Sequence, residues 1–244
     1  MDGLYVLSNK LMKNSHVYMI GEIVPRLLNF LMLPIMTSYL TPEDYGVIGY
    51  VDAILLFIFI FSVMALNSYV LREYFELTTL QARKKLFGNF FIFLIIYNLV
   101  LFFACFLFFY LTLGFIEIQF EILPMLIIAL VCNLLEIFCV FPQMIFRAQE
   151  KALAYVCFAA SKTVFTIIAV VFCLELYYDD HGPISKYYGI VFIAALYAAF
   201  SYLLVKKNAI FSFNIEQLKH GFMFALPLVL AELSFAVIDM SDRL

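Results

Sequence analysis

Long runs of apolar residues dominate the chain, and short polar segments separate one run from the next. The runs lack a period of two, which favours helices over strands. A helix needs about 20 mainly apolar residues to cross the hydrocarbon core of a bilayer. Seven runs meet that length: 17–40, 46–70, 87–113, 122–146, 153–176, 185–205 and 220–240. We therefore predict an all-α, polytopic membrane helix bundle with about seven transmembrane helices.

The composition excludes a soluble protein. Hydrophobic residues make up 66% of the 244 residues and charged residues 14%, against roughly 25% charged residues in a soluble domain. A soluble protein of this size cannot keep so much apolar surface away from water. The net charge of −3 argues against a nucleic-acid-binding protein, which needs a basic surface. The five cysteines and three histidines show no metal-ligand spacing, so we expect no metal site and no cofactor.

The basic residues that flank the predicted spans are divided unevenly between the two sides of the membrane. One side holds eleven: Lys10, Lys13, Arg72, Arg83, Lys84, Lys85, Arg147, Lys151, Lys206, Lys207 and Lys219. The other side holds two, Lys186 and Arg243. Because Lys and Arg are enriched in cytoplasmic loops, we expect the N-terminus to be cytoplasmic.

Ionisable side chains inside a membrane span are costly and are functional candidates by default. The predicted spans contain six such candidates: Glu22, Arg26, Asp52, Glu136, Lys162 and Glu232. With a rise of about 1.5 Å per residue, Arg26, Glu136, Lys162 and Glu232 lie roughly 14 to 18 Å from the cytoplasmic helix ends. That depth is near the middle of a core about 30 Å thick. We therefore expect these four residues to line one cavity.

Structural ion pairs are the alternative explanation for several of these charges. Glu22 and Arg26 are four residues apart on one helix face and could neutralise each other. Glu136 and Lys162 lie at matching depth on consecutive antiparallel helices, where they could form a pair that still lines the pathway. For Asp52, near the outer surface, the pattern favours a solvated position over a buried role.

Prolines and one capping motif predict local features of the spans. Pro25 and Pro34 in the first span and Pro227 in the seventh are hinge candidates, although a static kink is equally compatible with each. The sequence Thr41-Pro42-Glu43-Asp44 predicts the start of the second helix, with Thr41 as N-cap and an acid at N3.

Several segments resemble the polysaccharide flippases, the oligosaccharide-lipid exporters of the multidrug/oligosaccharidyl-lipid/polysaccharide superfamily. The resemblance begins with Gly21 to Gly46, which includes Pro-Ile-Met-Thr-Ser-Tyr-Leu-Thr-Pro-Glu-Asp-Tyr-Gly. Three later stretches also resemble the family: Asn67–Tyr74, Phe146–Lys151 and Gly221–Arg243.

The resemblance implies an architecture of twelve to fourteen helices in two lobes that rock about a central cavity. On that basis residues 1–207 form the six-helix N-terminal lobe, and residues 208–244 form a cytoplasmic linker and the first helix of a second lobe. We therefore expect a truncated or interrupted copy of such a transporter.

The resemblance also implies a substrate and a location. The expected substrate is an undecaprenyl-diphosphate-linked oligosaccharide, moved across the bacterial inner membrane for cell-surface polysaccharides such as the O-antigen of lipopolysaccharide. Membrane lipids surround such a transporter, and other polysaccharide-assembly membrane proteins are further candidate partners. The chain is then a transporter and not an enzyme.

The same resemblance assigns roles to the charged residues in the spans. Arg26 is the first candidate to bind the diphosphate, because a guanidinium matches phosphate oxygens and related flippases place an arginine in the first helix. Lys162 is the second candidate. Glu136 and Glu232 complete the candidate cavity. The acids Glu22 and Asp52, together with Glu136, are candidates to carry a coupling proton or Na⁺.

Three other functions remain open from the sequence. A drug/cation antiporter of the same superfamily would favour acids in its cavity, so Arg26 and Lys162 argue mildly against it. An integral-membrane glycan-assembly enzyme would place its chemistry in an outer loop, and the longest such loop contains Asp179, Asp180 and His181. A pseudo-transporter that serves only as an assembly partner is the third.

Overall fold

The computed structural model describes the backbone of residues 2–115 and 122–241 and the side chains of residues 16–112 and 122–238. Within these ranges the chain forms eight α-helices and one short 3₁₀ helix, with no strand. The α-helices are α1 (Asp2–Tyr39), α2 (Pro42–Val63), α3 (Leu66–Glu76), α4 (Leu80–Phe115), α5 (Ile122–Ala148), α6 (Ala152–His181), α7 (Ser185–Asn208) and α8 (Ile215–Ser241). The 3₁₀ helix, Gly182–Ile184, joins α6 to α7.

Six helical segments of the described chain are long and apolar enough to cross a membrane: His16–Tyr39, Pro42–Glu76, Leu80–Thr112, Ile122–Ala148, Ala152–Asn208 and Ile215–Ile238. The fifth segment is 57 residues long and contains both α6 and α7. The six segments therefore accommodate the seven spans expected from the sequence. The prediction of an all-α, polytopic membrane bundle is confirmed.

Helices α6 and α7 pack against each other as an antiparallel hairpin. At one end the Tyr197 hydroxyl donates a hydrogen bond of 2.8 Å to Oγ of Ser161. Nearer the turn, Gly189 lies against the α6 backbone at Val170, where an added Cβ would come within 2.6 Å of the Val170 nitrogen. The missing side chain at Gly189 thus permits the close approach of the two helices.

Helix α1 packs along α6, and α5 packs along α7. The contact between α1 and α6 is close at Gly21, which faces the side chains of Tyr155 and Val156. The ends of α5 and α7 are joined by a hydrogen bond of 3.2 Å from the Gln149 amide to the Asn208 side chain. These four helices form the framework around the candidate site.

The buried apolar residues divide into two clusters. The first gathers residues from α2, α3, α4, α5, α7 and α8, among them Leu66, Phe90, Phe141 and Val229. The second gathers residues from α1, α2, α5, α6 and α7, among them Met36, Val51, Met125 and Tyr187. Because α8 shares the first cluster with the preceding helices, it packs as part of this bundle. The domain boundary between residues 207 and 208 stays a prediction.

The connection between α7 and α8 is fixed to the beginning of α4. The buried Asn89 side chain donates to the carbonyl of Asn214 at 3.1 Å and accepts from the Asn214 N–H at 3.0 Å. The Ile210 N–H also donates to the carbonyl of Lys84 at 2.9 Å. These bonds satisfy polar backbone groups where the chain turns into α8.

The start of α2 follows the predicted capping motif. Thr41 is the N-cap, its hydroxyl accepts from the Asp44 N–H, and the Asp44 carboxylate accepts from the Thr41 N–H at 2.9 Å. Pro42 occupies the first turn, where its missing N–H costs nothing. The predicted start of α2 is thus confirmed. It could be predicted from the sequence because the motif depends only on neighbouring residues.

A break between α2 and α3 was not expected from the sequence. Met64 and Ala65 adopt left-handed conformations, with φ of 51° and 49°, although neither residue is glycine. Buried amides from other helices support the break: Asn98 donates to the Ser62 carbonyl at 3.0 Å, and the Ser62 hydroxyl donates to Asn133 at 2.9 Å. The second predicted span is therefore two helices.

The prolines do not end their helices. Helix α1 continues through Pro25 and Pro34, and α8 continues through Pro227. Their assignment as hinges stays a prediction.

Most of the basic residues gather at one end of the bundle, which we call the basic end. In the described side chains it holds Arg72, Arg83, Lys84, Lys85, Arg147, Lys151, Lys206, Lys207 and Lys219, whereas Lys186 lies at the opposite end. The side chains of Lys10, Lys13 and Arg243 lie outside the described residues.

The close packing at Gly189 predicts that Gly189→Ala destabilises the protein. The new methyl group would meet the α6 backbone at 2.6 Å, and overpacking of this kind costs about 1–3 kcal/mol. The change should lower the thermal unfolding midpoint of the detergent-solubilised protein. Gly49→Ala is the matched control, because nothing lies within 4 Å of its added Cβ. Equal midpoints for the two variants would contradict the prediction.

Candidate functional site

A cavity of about 280 Å³ lies between α1, α5 and α6. Its polar lining comes from Glu22, Arg26, Gln143, Lys162 and Thr163. The cavity thus brings together Arg26 and Lys162, the two basic residues that the sequence places at similar depth. It also contains Glu22, one of the three acids that the sequence indicates as ion-coupling candidates.

Helix periodicity explains why α1 supplies two of these side chains. Glu22 and Arg26 are four residues apart and therefore share one face of the helix. Pro25 lines the cavity beside them. Gly21 sets the spacing, since it lets α1 approach Tyr155 and Val156 of α6. The face that carries Arg26 is thereby held at the wall of the cavity.

Arg26 is exposed in the cavity. It forms no ion pair or hydrogen bond with any residue whose side chain the structure describes. A guanidinium carries five N–H donors in a fixed planar arrangement. Arg26 is therefore a cation whose donors are available to a ligand.

Lys162 lines the same cavity and forms an ion pair with Glu136 of α5. The Lys162 side chain is mostly buried. Pairing removes much of the cost of placing either charge in an apolar environment. The pair that the sequence left as an alternative is thus present, and its lysine still borders the cavity.

The pairing of Glu22 differs from the one suggested by its spacing. Glu22 accepts a hydrogen bond of 2.6 Å from Nη2 of Arg147, and it forms no ion pair with Arg26 among the described contacts. The sequence assigns Arg147 only to the cytoplasmic loops. The packing of α1 and α6 beside the end of α5 brings Arg147 to Glu22, and no spacing within one helix reveals that contact.

A second, smaller cavity adjoins the first. It has a volume of about 180 Å³ and is lined by Asn67, Gln143 and Arg147, among others. Gln143 lines both cavities. Gln143 and Arg147 are four residues apart on α5, so they share a helix face. Gln143 and Arg147 were not identified as site residues from the sequence, because Gln143 is not ionisable and Arg147 lies beyond the predicted span 122–146.

Asp52 lies away from this cavity, toward the opposite end of the bundle. Its carboxylate accepts hydrogen bonds of 2.7 Å from Nζ of Lys186 and from the hydroxyl of Tyr187. The side chain is partly exposed, as expected for a position near the outer surface. Its bonds join α2 to α7, so the carboxylate is engaged rather than free.

Glu136 is not in the cavity lining and is connected to it through its pair with Lys162. Glu232 does not join the other candidates. It lies on an exposed face of α8 and is absent from the lining of the cavity between α1, α5 and α6. Pro227 is likewise exposed on α8, and Pro34 is exposed on α1. Arg26 and Lys162, which were grouped by depth, line one cavity, but depth along a helix does not define the direction of a side chain.

The described residues contain no cluster of three or more His, Cys, Asp or Glu side chains that could hold a metal ion. Asp179, Asp180 and His181 are exposed at the end of α6. Nothing in their described contacts assigns them a role.

Comparison with known protein families gives one result that covers nearly the whole chain. The model of a family described as "Polysaccharide biosynthesis protein" matches residues 11–244. Neither the comparison with curated proteins nor the comparison with solved structures gives a significant match.

The ion pair between Lys162 and Glu136 predicts that removal of the lysine alone is destabilising. Lys162→Met would leave the Glu136 carboxylate unpaired, at a cost of about 3–5 kcal/mol for a buried pair. The thermal midpoint in detergent should fall for Lys162→Met and recover in part for the double variant Lys162→Met/Glu136→Met. Lys206→Met, at an exposed position, is the control. A single variant as stable as the wild type would show that the pair has no structural role.

Proposed function

The chain belongs to the polysaccharide biosynthesis protein family, and we propose that it is a flippase for a diphosphate-linked oligosaccharide. It is a multi-pass membrane protein of polysaccharide biosynthesis. The proposed substrate is an oligosaccharide joined through a diphosphate to a polyprenol such as undecaprenol. Cell-surface polysaccharides, including the O-antigen of lipopolysaccharide, are its proposed destination.

The observation that carries this proposal is the free guanidinium of Arg26 in the cavity. Two of the three charged residues that line the cavity are paired with protein groups, Lys162 with Glu136 and Glu22 with Arg147. The third, Arg26, has no partner among the described side chains. A diphosphate supplies the negative charge and the oxygen acceptors that a guanidinium binds best.

The volume of the cavity suits the diphosphate group rather than the whole substrate. A volume of about 280 Å³ is at the lower limit of pockets that bind small molecules. The polyprenyl chain is apolar and would remain in the surrounding hydrocarbon. The sugar would extend toward water beyond the cavity.

The state of the carboxylates favours a flippase over a drug/cation antiporter. An antiporter needs an acid that is free to bind a cationic substrate, whereas Glu22 and Glu136 are both paired with protein cations. Glu22 and Asp52 remain our candidates for ion coupling, since either pair could open when a proton or Na⁺ binds the acid.

We also propose that the protein lies in the bacterial inner membrane with its N-terminus and the basic end in the cytoplasm. The support is the division of basic residues between the two ends of the bundle. In this orientation the Glu22–Arg147 pair lies toward the cytoplasmic side of the membrane.

Loss of the guanidinium at Arg26 should slow flipping strongly. Arg26→Gln removes the unpaired charge, and charged hydrogen bonds of about 1.5–3 kcal/mol correspond to about a tenfold or greater loss of rate. The measurement is the rate at which proteoliposomes translocate a fluorescent polyprenyl-diphosphate oligosaccharide.

Arg72→Gln is the matched control for Arg26→Gln. Arg72 is an exposed residue of α3 that pairs with Glu76 and does not line the cavity, so this variant should flip at the wild-type rate. Wild-type flipping by Arg26→Gln, or no flipping by the wild-type protein, would contradict the proposed function.

The proposed orientation predicts opposite results for reporters placed at the two ends. Alkaline phosphatase is active only outside the cytoplasm, so a fusion after Gly182 should be active and a fusion after Ala209 inactive. Green fluorescent protein fusions at the same positions should give the reverse pattern. Exchange of the two patterns would show that the basic end faces outward.

A further inference from the structure

We infer that Arg147, which lines the adjoining smaller cavity, is a further anion-binding residue of this site. Glu22 occupies Arg147 when no ligand is present and releases it when an anion binds. This role rests on the proposed function and names a residue and an exchange that the proposed function does not contain. The chemical class of the ligand is a diphosphate monoester or diester with an apolar tail.

Tyr155 holds the guanidinium of Arg147 in place independently of Glu22. Nη2 of Arg147 donates to the Tyr155 hydroxyl at 2.5 Å, and its Cζ lies 4.6 Å from the centre of the Tyr155 ring. Tyr155 is itself buried and packs against Tyr18, with ring centroids 5.5 Å apart. When Glu22 departs, Arg147 therefore keeps its position beside the cavity.

The two ion pairs differ in exposure, and the difference indicates which of the two cations a ligand can bind. The Glu22 and Arg147 side chains are 53% and 36% exposed, whereas Glu136 and Lys162 are 31% and 16% exposed. The pair of Glu22 with Arg147 is thus the more accessible of the two, and a multiply charged anion can compete for Arg147. Lys162, by contrast, is held in a more buried pair.

A phosphate that replaced the Glu22 carboxylate would lie beside Arg147 and one helical turn from Arg26. The carboxylate touches Arg147 on one side, and Arg26 lies one turn farther along the same face of α1. An anion in its place would receive donors from α1 and from α5. The Gln143 amide, which lines both cavities, is a third donor next to this position.

The exchange has a mechanical consequence for the bundle. Without a ligand, the Glu22–Arg147 pair ties α1 to α5 near the basic end. With a ligand, the same two helices are joined through the anion by Arg26 and Arg147. The connection between α1 and α5 thus reports whether the site is occupied.

A double-mutant cycle tests this role. The full chain is purified in detergent, and isothermal titration calorimetry measures the Kd for farnesyl diphosphate, a short polyprenyl diphosphate. The variants are Glu22→Gln, Arg147→Gln, their combination and Arg26→Gln, with Arg72→Gln as a control at the same end of the bundle. Arg147→Lys replaces Arg147→Gln if the latter does not give a monodisperse protein.

We expect Glu22→Gln to tighten binding about fivefold, since removal of the competing carboxylate releases up to about 1 kcal/mol. Arg147→Gln should weaken binding. In the Arg147→Gln background, Glu22→Gln should no longer tighten it, because no guanidinium is left to release. Arg72→Gln should bind as the wild type does.

The possible failures are distinguishable. If Glu22→Gln tightens binding equally with and without Arg147, the effect is a general change of charge and Arg147 is not a ligand. If Glu22→Gln has no effect while Arg26→Gln weakens binding, the exchange is wrong and the proposed function stands. If Arg26→Gln binds normally, the proposed function fails in its own right.

Discussion

A charged side chain in the bilayer core costs about 3 kcal/mol or more unless an opposite charge or water meets it. The arrangement of the helices satisfies this constraint with one ion pair near the middle of the spans and with two more toward the ends of the bundle. Glu136 pairs with Lys162 between α5 and α6, Asp52 with Lys186 between α2 and α7, and Glu22 with Arg147 between α1 and α5. Each pair joins two helices, so the charges also define which helices are neighbours. Arg26 differs from these residues, because it lines a cavity and has no ion-pair partner among the described side chains.

The sequence predicts well those features that depend on one helix or on the average properties of many residues. Apolar run length predicts the spans, and Thr41 with Asp44 predicts the start of α2. The similar depth of Arg26 and Lys162 along their spans predicts that they line the same cavity. The partner of Glu22 could not be predicted, because Arg147 reaches it only through the packing of three helices. Glu232 was grouped by depth with the others, yet depth leaves the direction of a side chain undefined.

Neutral amides organise parts of the bundle that the charges do not reach. Asn89 binds the segment before α8, while Asn98 and Asn133 lie beside Ser62 where the second span is broken. A buried amide without partners would be costly in hydrocarbon. Their hydrogen bonds therefore select one arrangement of α4, α5 and α8. The pattern of apolar residues does not predict these hydrogen bonds, because the position of an asparagine in a span does not identify its partner.

The break between α2 and α3 restricts how the second span can change during evolution. Positions 64 and 65 lie in the left-handed region of backbone space, which β-branched residues rarely adopt and which Gly or Asn adopt readily. Substitution of Met64 or Ala65 by Gly or Asn is thus compatible with the backbone, whereas substitution by Val, Ile or Thr is disfavoured. Because Asn98 binds the Ser62 carbonyl across 36 residues of chain, a change at position 98 would also remove one hydrogen bond that supports the break.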